Sequence, residues 1–459
     1  MRFETIMRLK PFKKMISKIK SLQNNLGFMK YFKNISWLFA EKIFRMIIGL
    51  FVGIWVIRYL GPEQFGNYSY ALSFVALFTW IATLGLDDIV VRELVKDETL
   101  NDEIIGTAFW LKVMGAFGVL LILAIAINFT SNDTYTNTLI FIIASSTIFQ
   151  SFNVIDFYFQ SKVMSKFVAY TNFISLLLST VIKIILILNE APLIAFAWMV
   201  LFDNFILASG FIYFYIKFNL TFKIRNLKFK SKTATLLLKN SWPMIISSAA
   251  IIIYAKVDQV MIKEMINLEA VGQYAAAAKI SEAWYFIPLT VTLSVFPAII
   301  NAKKKSEELY YIRLQKLYDV MVWMAIAIAI PITFLSDGII QLLYGKQYSE
   351  AGSVLMIHIW AGIFVSMGVA GTRWLLCENL QIFLTINTII GAIVNIGLNY
   401  VLIPRLGIEG AAWATLISYC VAAYLCLIIW KKTKINFINL TKSILFITMF
   451  QRIYRWRIK

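Results

Sequence analysis

RYLGPEQFGNYSYA (residues 58–71) separates two long apolar runs with Gly61, Pro62 and Gly66. Gly and Pro so close together punctuate a chain. The stretch also has an echo. Laying residue 58 over residue 264 aligns it with NLEAVGQYAAAA (267–278): Glu63 meets Glu269, Gly66 meets Gly272, Tyr68 meets Tyr274 and Ala71 meets Ala277. A second echo, shifted by about nine more residues, lays PLIAFAW (192–198) over GIEGAAW (407–413), which holds Gly407 and Gly410. Two echoes in one order mark an internal repeat.

The runs on either side of these stretches belong to a membrane. Of 459 residues 60% are hydrophobic and only 15% charged, and mean hydropathy is +0.73, too little charge to cover a soluble protein of this size. Apolar runs of about 20 residues recur throughout, enough for a helix to cross a hydrocarbon core roughly 30 Å thick. The short alternating segments of a β-barrel are missing. The fold expected is an all-α polytopic membrane protein. Its twelve or so spans are 35–57, 67–86, 105–127, 138–158, 167–188, 193–216, 240–263, 273–296, 316–336, 352–375, 383–403 and 409–430.

Linkers 128–137 and 189–192 hold no Lys or Arg, whereas 217–239 holds Lys217, Lys223, Arg225, Lys228, Lys230, Lys232 and Lys239, and 297–316 holds Lys303, Lys304, Lys305, Arg313 and Lys316. Basic linkers stay cytoplasmic. Both termini are then cytoplasmic, in a multi-pass protein of the cytoplasmic (inner) membrane. The net charge of +19 follows from the same rule and from anionic inner-leaflet headgroups, and gives no support to a nucleic-acid partner. The organisation expected is a basic amphipathic segment (1–33), a six-helix bundle (34–216), a basic cytoplasmic linker (217–239), a second six-helix bundle (240–430) and a basic cytoplasmic tail (431–459) whose residues 443–450 lie on the surface. The first 28 residues read equally well as an interfacial helix or as a leader to translation starting at Met29. Six spans per half put both halves the same way up. Such parallel repeats, related by an axis along the membrane normal, suit alternating access around a site at their interface.

Cys377, Cys420 and Cys426 have no metal or disulfide spacing, and neither GxxxxGK[ST] nor GxSxG occurs. No metal and no cofactor is expected beyond a proton or sodium gradient. A charge near mid-span costs roughly 2.5–3.5 kcal/mol on insertion scales. Arg45 and Lys42 in span 1, Asp203 in span 6, Lys256 and Asp258 in span 7, and Lys279 and Glu282 in span 8 are the deep ones. Glu41 with Arg45, and Lys279 with Glu282, are spaced to neutralise each other. Asp258 has no cation three or four positions away, so its counter-charge comes from another helix, a bound cation or the substrate. Lys112, Lys183 and Arg373 are placed to snorkel. Gly49 and Gly53 form a GxxxG pair for close helix approach. Histidine is the side chain that can titrate near neutral pH, and His358, as a lone one, reads either as core or as a proton site.

Taken together, RYLGPEQFGNYSYA, KVDQVMI (256–262), AVGQYAAAAKISEAWYFIP (270–288), FPAII (296–300), LLYGKQY (342–348) and NIGLNYVLIPRLGIEGAAWAT (395–415) resemble the Wzx-type O-antigen and repeat-unit flippases, relatives of the MATE exporters and lipid II flippases. The resemblance runs from about Met29 to Trp430. It implies a cargo of isoprenoid diphosphate linked to a short glycan, turned over for surface polysaccharide synthesis. It further implies a monomeric secondary transporter rather than an enzyme, with membrane lipids and polysaccharide polymerase and assembly proteins as partners. A diphosphate needs cationic partners inside a membrane. The candidates are Arg45, Lys42, Lys256 and Lys279 for the headgroup, and Asp258, Asp203, Glu282 and His358 for ion coupling or counter-charge. Gly61, Pro62, Glu63, Gly66, Tyr68, Glu269, Gly272, Tyr274, Gly407 and Gly410 are the structural motif, read as the outer corner of each half. A MATE-type drug or cation antiporter is the competing reading, and a membrane glycan polymerase or ligase a remote one.

Overall fold

A computed structural model describes residues 26–218 and 228–448, every regular element of them helical. The parts of the N-terminal segment, central linker and C-terminal tail at 1–25, 219–227 and 449–459 lie outside the described residues. Among the described residues ten helical stretches are long and apolar enough to cross a membrane. Two of them break at a glycine. Leu26–Ala76 breaks at Gly61 (φ 70°, ψ 170°) and Gln381–Cys420 at Gly407 (φ 60°, ψ −140°). Side chains rarely tolerate positive φ, so these breaks need glycine. Counting each arm gives twelve rods: α1 (26–60), α2 (62–76), α3 (Asn101–Ala126), α4 (Thr134–Ser161), α5 (Ser165–Leu188), α6 (Leu193–Phe218), α7 (Ser231–Met265), α8 (Leu268–Lys303), α9 (Glu307–Tyr344), α10 (Ala351–Cys377), α11 (381–406) and α12 (408–429). The first corner is thus one residue wide, and Glu63 and Gly66 are already helical. Pro62 opens α2 at a position where its missing N–H costs nothing.

Caps fix other ends. Asp133 accepts from Thr136 N at 2.8 Å before α4, and the Thr136 hydroxyl together with this N–H holds its carboxyl below the usual range. Asn267 accepts from Ala270 N at 2.8 Å and opens α8 where Gly61 breaks the first repeat. Large apolar side chains such as Phe51, Leu121 and Phe334 face outward, as a lipid environment requires.

Three buried cores divide the molecule. One unites both halves near the Gly61 end: Ile57, Tyr70 and Phe196 pack in the same cluster as Val271, Tyr274, Tyr348 and Ala411. Nearer the basic linkers the core splits. Leu86, Leu94, Phe159 and Phe211 fill the first half, joined by Ala234 and Leu237 of α7, while Trp284, Tyr310, Tyr318, Ile359 and Trp374 fill the second. The halves share one core at one face; at the other each has its own, bridged by the start of α7, where Thr233 and Lys230 donate to Glu103 of α3.

The fusion is built on the sequence repeat. A Cβ on Gly66 would lie 1.7 Å from the Leu268 carbonyl oxygen, and one on Gly272 would lie 1.9 Å from that of Pro62. Pro62 and Leu268 are themselves equivalent in the repeat, so the contact is reciprocal, as a two-fold between the halves demands. The motif is therefore more than a corner of each half: it is where the halves cross. Ser73 donates to Gln259 at 2.8 Å, Gln347 Nε2 to the Arg58 carbonyl at 2.9 Å and Tyr348 to the Ile57 carbonyl at 2.8 Å, all across the same seam.

The tail differs from expectation. After α12, a helix α13 (Lys434–Ile444) packs against α9. Ser443 and Thr448, expected on the surface, donate to the fully buried Asp319 at 2.7 and 2.8 Å, and Gln315 adds a third donor. A buried carboxylate draws in every donor within reach.

A cavity between the halves

On the divided side a cavity of about 490 Å³ opens between α1, α5 and α8, lined by Glu41, Lys42, Arg45, Gly49, Asn172 and Lys279 among others. Glycine makes the room. A Cβ on Gly49 would meet nothing within 4 Å, and the nearest atom to one on Gly53 is Lys279 Nζ at 3.1 Å. The GxxxG pair therefore borders open space and an ammonium group, not a closely packed helix. Arg45 Nε donates to Glu41 at 2.6 Å, and its Nη2 touches the same oxygen. That carboxylate is 5% exposed and the arginine 45%. Lys42 and Lys279 are exposed to the cavity, and among the described residues neither has an ion-pair partner.

Three of the four candidate cations thus converge. Lys256 does not line this cavity, although it lies within electrostatic range of Lys279 and Glu282. Glu282 is exposed and forms no ion pair with Lys279, so the expected neutralising pair is not made.

The acids divide by environment. Asp203 pairs with Lys183 at 3.1 Å, both about a quarter exposed, so Lys183 does not snorkel. Lys112, also expected to snorkel, is buried, with Asp87 at 3.0 Å and the Phe157 ring 4.8 Å below its ammonium. Arg373 instead stacks over Phe296 at 5.3 Å.

Asp258, 3% exposed, has no cationic partner among the described residues. It accepts instead from Tyr274 Oη at 2.8 Å, Asn399 Nδ2 at 2.5 Å and Thr415 Oγ1 at 2.5 Å. Asn399 in turn donates to Asn395 Oδ1 at 3.2 Å, and Asn395 to Ser418 at 3.3 Å. Four helices of the second half, α7, α8, α11 and α12, meet at one carboxylate. Of the three expected sources of counter-charge, another helix supplies none among the described residues, and several neutral donors hold the buried carboxylate. Tyr274 belongs to both the motif and this network. His358 is 2% exposed, shares a hydrogen bond of 2.9 Å with Ser281 and approaches the Tyr274 ring edge-on at 6.0 Å.

Sequence reasoning missed Asn395, Asn399 and Thr415. Their signal is polar residues at i and i+4 inside an apolar run (Asn395, Asn399), a spacing that puts both on one helix face.

The remaining motif residues stay on the seam or the turns. Glu63 and Glu269 border a polar recess with Lys263 and Ser131, and Tyr68 is half-buried. A Cβ on Gly410 would meet the Leu402 carbonyl oxygen at 2.3 Å, which lets α12 fold back on α11.

The chain is similar to known proteins in sequence and in fold. The chain is 20% identical to the capsular polysaccharide biosynthesis protein CapF of Staphylococcus aureus, over 85% of this chain and 96% of that one. It is 24% identical to a putative O-antigen transporter of Shigella dysenteriae, over 61% and 68% of the two chains. The lipid II flippase MurJ, solved in an inward closed conformation, superposes with a TM-score of 0.72 at 15% identity, over 90% of each chain, which shows a shared fold. Residues 31–303 match the polysaccharide biosynthesis protein family. With well over half its length inside that match, the chain belongs to the polysaccharide biosynthesis protein family.

Proposed function

We propose that the protein is a flippase that carries isoprenoid-diphosphate-linked oligosaccharides across the cytoplasmic membrane by alternating access. The observation that carries this reading is the open cavity, where among the described residues Lys42 and Lys279 have no ion-pair partner and Arg45 shares one. Unpaired cations at depth are costly unless an anion completes them. A diphosphate headgroup supplies that anion while its tail stays in the bilayer. The chain then acts as a carrier and not as an enzyme. The basic linkers orient both termini and the open side of the cavity to the cytoplasm, where such lipids are made.

Asp258 is the proposed coupling acid. Neutral donors hold it, so a proton or monovalent cation can come and go without breaking an ion pair. Asp203 is neutralised by Lys183, and Glu282 remains a second candidate. A MATE-type cation antiporter would need a cavity dominated by acids. Here, among the described residues that line the cavity, the one acid, Glu41, is already held by Arg45.

The test is Lys279→Ala in cells that build surface polysaccharide through this protein. Membrane levels should match wild type while surface polymer falls to background. Normal polymer in a well-expressed variant would sink the proposal.

A further inference from the structure

Glu41 stands where an anionic cargo has to bind. Its carboxylate borders the same cavity as Lys42 and Lys279, is almost buried, and occupies part of the Arg45 guanidinium fork. The cavity therefore presents two ammonium groups with no ion-pair partner among the described residues and one guanidinium already holding an anion.

This asymmetry discriminates by charge number. A sugar or glycerol joined to a lipid through one phosphate carries one negative charge. The same groups joined through a diphosphate carry two, one on each phosphorus. A carrier whose cargo keeps its tail in the bilayer meets one-phosphate glycerophospholipids in great excess. To engage the Arg45 fork, a one-phosphate headgroup must displace Glu41, and exchanging one anion for another gains little. A two-phosphate headgroup places one phosphate between Lys42 and Lys279 and uses the second to compete for Arg45, so its net gain survives the exchange. Repelling the wrong ligand is as much a part of specificity as attracting the right one.

We propose that Glu41 is a selectivity residue, a resident counter-ion through which the cavity rejects one-phosphate lipids and accepts two-phosphate lipids. The inference rests on the flippase reading above and adds the residue that sets its choice of cargo.

The experiment titrates the detergent-solubilised full chain with undecaprenyl diphosphate-linked N-acetylglucosamine and with its monophosphate-linked counterpart. The two probes share tail and sugar. Wild type should prefer the diphosphate by about tenfold or more, and in Glu41→Gln that ratio should collapse to about threefold or less through tighter monophosphate binding, as removing a like-charge obstacle predicts. Glu41→Met reads the same ratio where the glutamine variant folds poorly. Equal binding of both lipids by wild type, or an unchanged ratio in the neutral variants, overturns the role of Glu41 while leaving a lipid carrier. Wild type that binds neither lipid overturns the flippase reading and this inference together.

Discussion

The two ends of the seam between the halves use glycine in opposite ways. At the fused end Gly66 and Gly272 bring backbone against backbone, and a methyl group on either would fall within 2 Å of a carbonyl oxygen. At the divided end a Cβ on Gly49 would meet nothing within 4 Å, and the space beside it is the cavity. Side-chain hydrogen bonds tie the halves at both ends, through Ser73, Gln347 and Tyr348 at the fused end and through Lys230 and Thr233 to Glu103 at the other, but at that other end Lys42 and Lys279 have no ion-pair partner among the described residues. Residues of one type, in one seam, thus close a contact at one end and hold a space open at the other. The neighbour, not the residue, decides which.

The strongest way to break this comparison is Gly272→Ala. Its methyl group meets backbone, which cannot rotate away, and overpacking of this kind costs about 1–3 kcal/mol or more. The variant should melt earlier, and a cysteine at Gln347 should become reactive to a thiol reagent as the fused face parts. Unchanged melting and labelling would show that the crossing is loose.

Next comes the ion pair of the first half. Lys183→Ala or Asp203→Ala should each cost about 2–3 kcal/mol, because each strands a charge that is mostly buried. The double variant should cost less than the two together, and additive losses in a double-mutant cycle would deny the pairing. Tyr274→Phe removes one of three donors from Asp258 and should cost about 1 kcal/mol. A neutral result there would detach the motif tyrosine from the network. The smallest effect belongs to Gly49→Ala, which should change stability by no more than about 0.5 kcal/mol. A large loss at Gly49 would erase the contrast with Gly272.

Much of the architecture was legible in the sequence. Apolar run length gave the rods, and the alignment of 58 with 264 laid Gly66 over Gly272 before their contact was visible. What periodicity could not supply was the partner of each charge. Lys183 and Asp203 lie 20 residues apart on neighbouring helices, and Asp258 draws on Asn399 and Thr415, 141 and 157 residues away. Such pairings depend on the rotation of each helix about its axis, which a hydrophobic run scarcely encodes. GxxxG misled for a related reason: two small residues on one face admit a helix or a cavity equally well. The docking of α13 was hidden because its anchor, Asp319, lies 124 residues before Ser443.

That anchor bears on biosynthesis. A ribosome delivers this chain from its N-terminus, so α9 enters the membrane with Asp319 long before residues 443–448 exist. In that interval the carboxylate lacks the donors that Ser443 and Thr448 later provide, a deficit that hydrocarbon does not forgive. The second half can finish its assembly only after nearly the whole chain has been translated. A nascent chain that stops short would expose inside the bilayer an acid stripped of two of its donors, the kind of signal by which membrane quality control recognises an unfinished product.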